Sequence, residues 1–311
     1  MKKLIIFFSL VLLSFSSLAD EPSYLLTASS KGELDTVQAM LAAGESANVK
    51  DDNDITALMY AARKNHPEVI AALINKGANV NAQDKGGWTA LMFAAKKNHV
   101  PTVKILLDKG ADPKVRDSHG WSAFNMAANS GFSEIVNLMM QHGIDANAAN
   151  GDGKTSLMYA AKSGDVATIT ALLAKGAQAN AHDKLGTTPL MYAAREGHVP
   201  ATAYLLSHGA NVDEQDLSNW TALTWAMKKS KIEVAKTLLA KGANVNHMDD
   251  QGTPLLLIAV DNGETDMVKL LVDNKANLKA RDKYGLTAYV YALKKGKPDI
   301  VKLIKNAGGK Y

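Results

Sequence analysis

The chain has 311 residues, of which 47% are hydrophobic and 21% charged, and its formal net charge at pH 7 is +4. It contains no cysteine, which excludes disulfides, thiol catalysis and thiolate metal sites. The small net charge says little about partners, so the placement of the charges carries more information than their sum.

The first 19 residues have the pattern of a secretory signal peptide. Two lysines precede an apolar run from Leu4 to Leu13, and residues 17–19 read Ser-Leu-Ala, with small residues at the third and first positions before a cut. We predict cleavage between Ala19 and Asp20, which leaves 292 residues with a net charge of +2, and a periplasmic location. The alternative is an N-terminal membrane anchor, but a spanning helix needs about 20 apolar residues and this run is shorter.

From residue 51 onward the sequence repeats every 33 residues, in phase, to its end. Unit two reads DKGGWTALMFAAKKNHVPTVKILLDKGADPKVR and unit five reads DKLGTTPLMYAAREGHVPATAYLLSHGANVDEQ. The eight units begin at Asp51, Asp84, Asp117, Asn150, Asp183, Asp216, Asp249 and Asp282. Such a period predicts a solenoid, in which each unit buries its apolar face only against its neighbours.

One period before Asp51, the same apolar and glycine positions recur, so an additional unit precedes the first full one. We therefore predict a cleaved signal peptide at 1–19, an N-terminal capping unit at 20–50, seven repeats at 51–281 and a C-terminal capping unit at 282–311. Because the phase never breaks, we predict neither a linker nor a second domain.

Within a unit, the residues indicate a helix, a tight turn, a second helix and a loop. A Thr can cap the first helix, an Ala pair follows, Gly or Asn marks the turn, and a Leu pair and another Gly close the second helix. The segment Thr188-Pro189-Leu190-Met191 is similar to the T-P-L-H segment of ankyrin repeats, and the resemblance covers about 23–309. It implies an all-α ankyrin-repeat solenoid of about nine helix-turn-helix units with protruding hairpin loops.

Met replaces the family's His in this segment, as in Thr56-Ala57-Leu58-Met59. That His normally helps to tie neighbouring loops in the family. We therefore expect contacts between these units to depend more on apolar packing than they do in other ankyrin repeats.

The sequence contains no combination of potential catalytic residues beyond what chance would give. His66, His99 and His198 follow the inter-helix turn, where ankyrin repeats commonly carry His, and we predict a structural role for them. No His pair has a metal-ligand spacing such as HExxH, and no GxxxxGK[ST] phosphate loop is present. We therefore predict no enzyme activity, no cofactor and no metal.

The first helices carry a row of aromatic residues followed by a row of cations. The residue before the Ala pair, which is Ala-Met in unit six and Ala-Leu in unit eight, is aromatic in six of the eight units, at Tyr60, Phe93, Tyr159, Tyr192, Trp225 and Tyr291. Basic residues follow three and four positions later, at Arg63, Lys64, Lys96, Lys97, Lys162, Arg195, Lys228, Lys229, Lys294 and Lys295. These spacings place both rows on one helix face, which in the ankyrin family lines the concave surface.

Two interpretations of these rows remain open. A solubilising surface would mix the signs of its charges, whereas these are nearly all positive, which favours a binding surface for an acidic or mixed patch of a folded protein. The alternative is that the aromatic rings are partly buried between repeats and that the cations only keep the surface soluble.

Three of the four Trp residues occupy one repeat position, just before the helix-capping residue. They are Trp88, Trp121 and Trp220. In the ankyrin family this position lies at the base of the hairpin loop and faces the binding side, and Trp is enriched at interface hot spots. Packing against the neighbouring hairpin is the alternative.

Units three and seven depart from the pattern. Unit three has Met126 in the aromatic row, and unit seven has Ile258 there and Lys275 at the helix-capping Gly position. These departures mark either a softer joint or plain sequence drift.

We expect a non-catalytic periplasmic binding protein, monomeric when free, that grips one folded partner. Its design resembles, in architecture and export, the periplasmic ankyrin self-protection proteins of predatory bacteria, which block peptidoglycan endopeptidases. That resemblance implies an inhibitor or immunity role against a partner such as a cell-wall hydrolase.

Two other roles stay open: a secreted effector that binds host proteins, and a periplasmic scaffold for a protective enzyme. Export argues against nucleic acid as the partner, and we expect no membrane attachment after signal cleavage.

Overall fold

The computed structural model describes residues 23–310, and within this range it contains 18 helices and no strand. The predicted signal peptide lies outside the described residues. The helices form nine pairs, in agreement with the predicted solenoid of about nine helix-turn-helix units. The first helices of the pairs are Tyr24–Lys31 (α1), Ala57–Lys64 (α3), Ala90–Lys96 (α5), Ala123–Asn129 (α7), Ser156–Ser163 (α9), Pro189–Glu196 (α11), Ala222–Lys228 (α13), Leu255–Asn262 (α15) and Ala288–Lys294 (α17). The second helices are Leu34–Ala42 (α2), Pro67–Asn75 (α4), Val100–Asp108 (α6), Ser133–Gln141 (α8), Val166–Ala174 (α10), Val199–Ser207 (α12), Ile232–Ala240 (α14), Thr265–Asp273 (α16) and Pro298–Asn306 (α18).

The first helices begin at a capping hydroxyl, except α15, which follows Pro254 and has no side-chain cap. The side chain of Thr188 accepts a hydrogen bond from the backbone N–H of Met191, and the Met191 sulfur accepts one from the Thr188 N–H in return. The same reciprocal arrangement joins Thr56 to Met59. These Met side chains are buried, so Met serves as both core residue and cap acceptor where the family carries His.

The turn between the two helices uses the left-handed backbone conformation. Asn65 has φ +62° and Gly164 has φ +78°, and each closes the preceding helix with its N–H. In unit six Ser230 takes the same conformation with φ +57°, a position that the Gly/Asn pattern alone does not reveal. A proline then stands at the first or second position of several second helices, as Pro67 does in α4, where a missing N–H costs least.

The loop-opening Asp or Asn of each unit builds the hairpin. In unit five, Oδ1 of Asp183 accepts hydrogen bonds from the backbone N–H groups of Leu185 and Thr187, both at 2.9 Å. The same pair of bonds recurs in all eight units, because a short side-chain acceptor can close a turn on the following backbone. The side chain therefore fixes the shape of the loop.

Successive first helices and successive second helices pack in two layers along the stack. The core between them consists of the Ala pairs, Leu and Met of the first helices and the Val, Ile and Leu of the second. The Ala residues of the pairs are 0% exposed, and such small side chains let helix backbones approach closely. Each unit thus buries its apolar face mainly against its neighbours, as a solenoid requires.

Backbone hydrogen bonds join most successive hairpins, but this series of bonds is interrupted after unit three and after unit seven. Elsewhere the second residue of one hairpin donates to the third residue of the preceding one, as Leu217 N–H does to the Leu185 carbonyl at 2.9 Å. Within the described residues, no such bond joins the hairpins of units three and four, or of units seven and eight. The two units that depart in sequence are therefore the two at which this contact is lost.

No helix in the described range is long and apolar enough to cross a membrane.

Candidate interaction surface on the first helices

The predicted cations lie at the C-terminal ends of the first helices. There a positive charge is favourable because the helix dipole places partial negative charge at that end. We call this row, with the aromatic side chains and hairpin bases beside it, the first-helix face. Its predicted cations are Arg63, Lys64, Lys96, Lys97, Lys162, Arg195, Lys228 and Lys229; all are exposed except Arg195, which is partly exposed.

Most of these cations are not neutralised within the protein. Arg195 pairs with Glu196 at 3.1 Å, and further along the row Lys295 pairs with Asp261 at 2.7 Å, which raises the pKa of the lysine. In the range 23–310 the other seven predicted cations form no ion pair. Lys294 of unit eight, in the same row, is likewise exposed and forms no ion pair in this range, so free positive charge lies in units one, two, four, six and eight.

The aromatic row and the Trp row meet in three places. Trp88 lies against Phe93 with ring centroids 5.0 Å apart, and Trp220 meets the edge of Trp225 at 4.7 Å. The third contact crosses between units, where Trp121 of unit three lies 4.6 Å from Tyr159 of unit four. The two rows that the sequence shows separately therefore form shared aromatic clusters, and the ring that Trp121 meets lies on helix α9 of the next unit rather than on its hairpin.

Cations lie over several of these rings. The Lys228 ammonium is 4.9 Å from the ring centroid of Trp220, and the Arg195 guanidinium is 4.9 Å from that of Tyr192 and 5.4 Å from that of Trp225. Such contacts hold a flexible cation in place without consuming its charge. A partner would meet these cations already oriented at the surface.

The aromatic row has a structural role that the sequence analysis missed. Tyr60 donates to Oδ2 of Asp51 at 2.8 Å, Tyr192 donates to Oδ2 of Asp183 at 2.7 Å, and the Trp225 indole N–H donates to Oδ2 of Asp216 at 2.9 Å. Each ring lies nine positions after its acceptor, which is a signal present in the sequence. The ring thus braces the hairpin of its own unit.

These bonds shift the pKa of the two tyrosines and of Asp51. The hydrogen bond to Asp51 raises the pKa of Tyr60, and burial followed by the bond to Asp183 raises the pKa of Tyr192 well above its ordinary value. Burial by itself would raise the pKa of Asp51. The hydrogen bonds from Tyr60 and from the backbone N–H groups of Ile55 and Asn53 outweigh it, so that pKa is lowered.

Two of the predicted contact residues are buried and expose little surface to a partner. Tyr159 is 8% exposed and Tyr192 is 7% exposed, because their rings are enclosed between neighbouring units and burial raises the pKa of both. For these two rings the structure therefore matches the alternative interpretation of partial burial, and they offer a partner little area. Tyr60, Phe93 and Trp225 are partly exposed, as are Trp88, Trp121 and Trp220.

Large apolar side chains stand at the tips of several hairpins. Leu185 is 65% exposed, Leu217 76% and Tyr284 75%. The first two lie on adjacent hairpins that are joined by a backbone hydrogen bond. Exposed apolar groups next to a charged face are typical of an interaction surface.

The His residues that follow the inter-helix turn tie neighbouring units together. Nε2 of His198 lies 2.9 Å from the Lys162 carbonyl, and His66 and His99 make the same contact with the Ser30 and Arg63 carbonyls. The structural role predicted for these three residues is confirmed. Within residues 23–310 no group of three or more His, Asp or Glu side chains is arranged to hold a metal ion.

A cleft of about 330 Å³ opens between units two and three on the first-helix face. Its walls include Trp88, Trp121 and Met126, and its polar lining includes Asp117 and Lys96. Asp117 is only 8% exposed. We call this feature the Trp cleft.

Comparison with known proteins agrees with this geometry. The family model described as Ankyrin repeats (3 copies) matches residues 25–117, 114–183, 164–249 and 244–310. Among solved structures, the human ASB11 ankyrin repeat domain aligns with a TM-score of 0.65 and 27% sequence identity, over 71% of this chain and 99% of that one. A comparison with curated proteins gave no match.

Proposed function

The chain belongs to the ankyrin repeat family, and we propose that it is a non-catalytic periplasmic protein that binds and occludes one folded partner through its first-helix face and hairpin tips. Ankyrin repeats are protein-interaction modules, typically scaffolds without enzyme activity. Nearly all of the described chain consists of such repeats, so binding itself is the activity that we propose.

The observation that carries this proposal is the row of free cations beside partly exposed aromatic rings. Arg63, Lys64, Lys96, Lys97 and Lys162 have no carboxylate partner among the described residues, although acidic side chains are plentiful elsewhere in the chain. Carboxylates on a partner's surface would supply the negative charge that these cations lack, and the attraction would speed the association of the two proteins. The neighbouring Trp residues would supply the buried contact area that dominates such interfaces.

Rigidity supports tight binding by this surface. The rings of Tyr60, Tyr192 and Trp225 are held by hydrogen bonds to Asp, and the hairpins are fixed by the same Asp side chains. A preformed surface loses little conformational entropy on association. Occlusion of a partner's functional site is a role that such a surface can serve.

Within this class we propose an inhibitor or immunity role against a cell-wall hydrolase. The support is the signal-peptide pattern at residues 1–19, since peptidoglycan hydrolases are hazardous to the cell that exports them. A stand-alone exported binder that blocks such an enzyme would protect its producer.

The test is an affinity capture from periplasmic extract with the processed chain at low and moderate salt, followed by mass spectrometry. We expect stoichiometric retention of one acidic-faced enzyme whose peptidoglycan cleavage stops when the purified chain is added. A retained enzyme that keeps full activity would contradict inhibition and favour a scaffold. Retention of no specific periplasmic protein would contradict the periplasmic role and favour a target outside the producing cell.

A further inference from the structure

Unit three lacks the aromatic donor that other units use to satisfy their loop-opening Asp. In units one, five and six a phenol or indole donates to Oδ2 of that Asp. Unit three has Met126 at the same position, and a thioether carries no donor.

Asp117 of unit three therefore has a protein donor at only one of its two carboxylate oxygens. Its Oδ1 accepts from the backbone N–H groups of His119 and Trp121 at 2.9 and 2.8 Å, but among the described residues no group donates to its Oδ2. The side chain is more than nine-tenths buried and lines the Trp cleft. Oδ2 is therefore open to solvent at the cleft, where a donor from a bound group can take the place of water.

The Trp cleft offers space for an aromatic ring at this acceptor. Trp88 and Trp121 line it, and Met126 lies in the same lining at the position where neighbouring units carry a ring. Lys96 stands at the cleft as an exposed cation without an ion pair in the described chain. The site thus combines apolar walls, one carboxylate acceptor and one lysine, and His119 and Asn129 complete its polar lining.

Building on the proposed function, we propose that the Trp cleft receives a tyrosine side chain of the partner protein, with a carboxylate beside it in the partner's sequence. The phenol donates to Oδ2 of Asp117 in trans, as Tyr192 donates to Asp183 in cis. The ring packs between the two Trp walls, and the adjacent carboxylate pairs with Lys96. A lysine or arginine from the partner would satisfy Asp117 as well, but Lys96 repels a second cation.

The substitution Met126→Tyr tests this directly because it supplies the missing ring from within the chain. Tyr159 and Tyr192 occupy the equivalent position at nearly the same burial as Met126, so the fold accommodates the ring. Ile258→Tyr is the matched control, since unit seven carries the same change of aromatic to aliphatic and its Asp249 is also 8% exposed.

The probes are two peptides, acetyl-Gly-Glu-Tyr-Glu-Gly-amide and its Phe counterpart, titrated against the full processed chain. Binding is followed by NMR through the indole N–H signals, which substitution of single Trp residues assigns. We expect the Tyr peptide to shift the Trp88 and Trp121 signals and to bind about tenfold more tightly than the Phe peptide, the effect of one hydrogen bond. Met126→Tyr should abolish binding and Ile258→Tyr should leave it unchanged.

Equal affinity for the two peptides, absence of binding at millimolar concentration, or equal effects of the two substitutions would overturn the proposal. Measurement of the captured partner separates this inference from the proposed function. If Met126→Tyr binds the partner normally while charge reversal on the first-helix face abolishes binding, the cleft inference fails and the proposed function stands.

Discussion

The phenol of Tyr192 donates a hydrogen bond to Oδ2 of Asp183, nine positions earlier, across 2.7 Å. The other carboxylate oxygen of Asp183 closes the hairpin on its own backbone. One side chain on a helix therefore holds the loop that precedes it. This relationship connects the stability of the stack to the shape of its surface.

We expect Tyr192→Phe to destabilise the protein by about 1.5 kcal/mol, because it removes a donor from a buried, charged acceptor. The measurement is urea unfolding followed by circular dichroism, with the m-value checked for constancy. The reverse change, Phe93→Tyr in unit two, adds the missing donor for Asp84 and should stabilise by about 0.5–1 kcal/mol. Identical stability of Tyr192→Phe and the parent would show that the bond contributes nothing.

The lowered pKa of Asp51 predicts a loss of stability in acid. The group is deprotonated more readily in the folded state than in the unfolded state, so the unfolded chain binds more protons between the two pKa values. Its contribution is fully present above the unfolded pKa of about 3.9 and disappears as the pH falls through the lower folded pKa. Carboxyl carbon NMR titration should show the pKa of Asp51 rising in Tyr60→Phe, with Asp52 as an internal reference; an unchanged pKa would contradict the assigned cause.

Gly164 and Gly176 provide a matched pair for testing the contact between units. Both have positive φ, +78° and +84°, so alanine costs about 1 kcal/mol of backbone strain at each. A Cβ at Gly164 would lie 2.5 Å from the His198 ring, whereas a Cβ at Gly176 meets nothing within 4 Å. We expect Gly164→Ala to lose about a further 1 kcal/mol, since His198 must leave the Lys162 carbonyl. Equal loss in thermal unfolding would mean that the His contact is dispensable.

Charge reversal tests the first-helix face. We expect the double variant Lys96→Glu and Lys228→Glu to weaken partner binding at least about tenfold at low salt, with a difference that shrinks as salt screens the charges. The matched control is Lys175→Glu with Lys241→Glu, which changes the same number of exposed charges at the ends of second helices. Surface plasmon resonance at several salt concentrations gives both values, and equal affinities of the two double variants would place the interface elsewhere.

The Trp row is tested by truncation. Trp121→Ala removes a ring that lies partly exposed at the hairpin base and contacts Tyr159. We expect a loss of about 2 kcal/mol in partner binding if it acts as a hot spot, beyond a stability cost of about 1 kcal/mol from the lost ring pair. Isothermal titration alongside chemical denaturation separates the two effects. A stability loss with unchanged affinity would assign this Trp to packing alone.

The sequence was sufficient to predict the architecture because residues within each unit determine where its helices begin and end. The capping Thr, the Ala pair and the left-handed turn recur at fixed spacing, and the structure places helices where they indicate. Ser230 escaped the turn pattern because it is neither Gly nor Asn, although its φ of +57° is that of the other turn residues.

The surface was harder to predict than the fold. Whether a ring at a given position is exposed depends on the neighbouring unit, so the same position gives a partly exposed Tyr60 and a buried Tyr192. The Asp-to-ring bonds could have been proposed from the nine-residue spacing, but the choice between a ring braced in cis and an open cleft requires the packing of two units.

The missing hairpin bond between units three and four has a mechanical consequence. In a linear array, stress applied at one end passes through every junction in turn, and the junction with the fewest bonds yields first. Two junctions lack this bond, between units three and four and between units seven and eight. Bending of the stack would therefore concentrate at these two places, the first of them next to a unit that lines the Trp cleft, while the segments between them keep their shape. A partner that pulls on the face would then change the curvature of the stack at these junctions rather than evenly along its length.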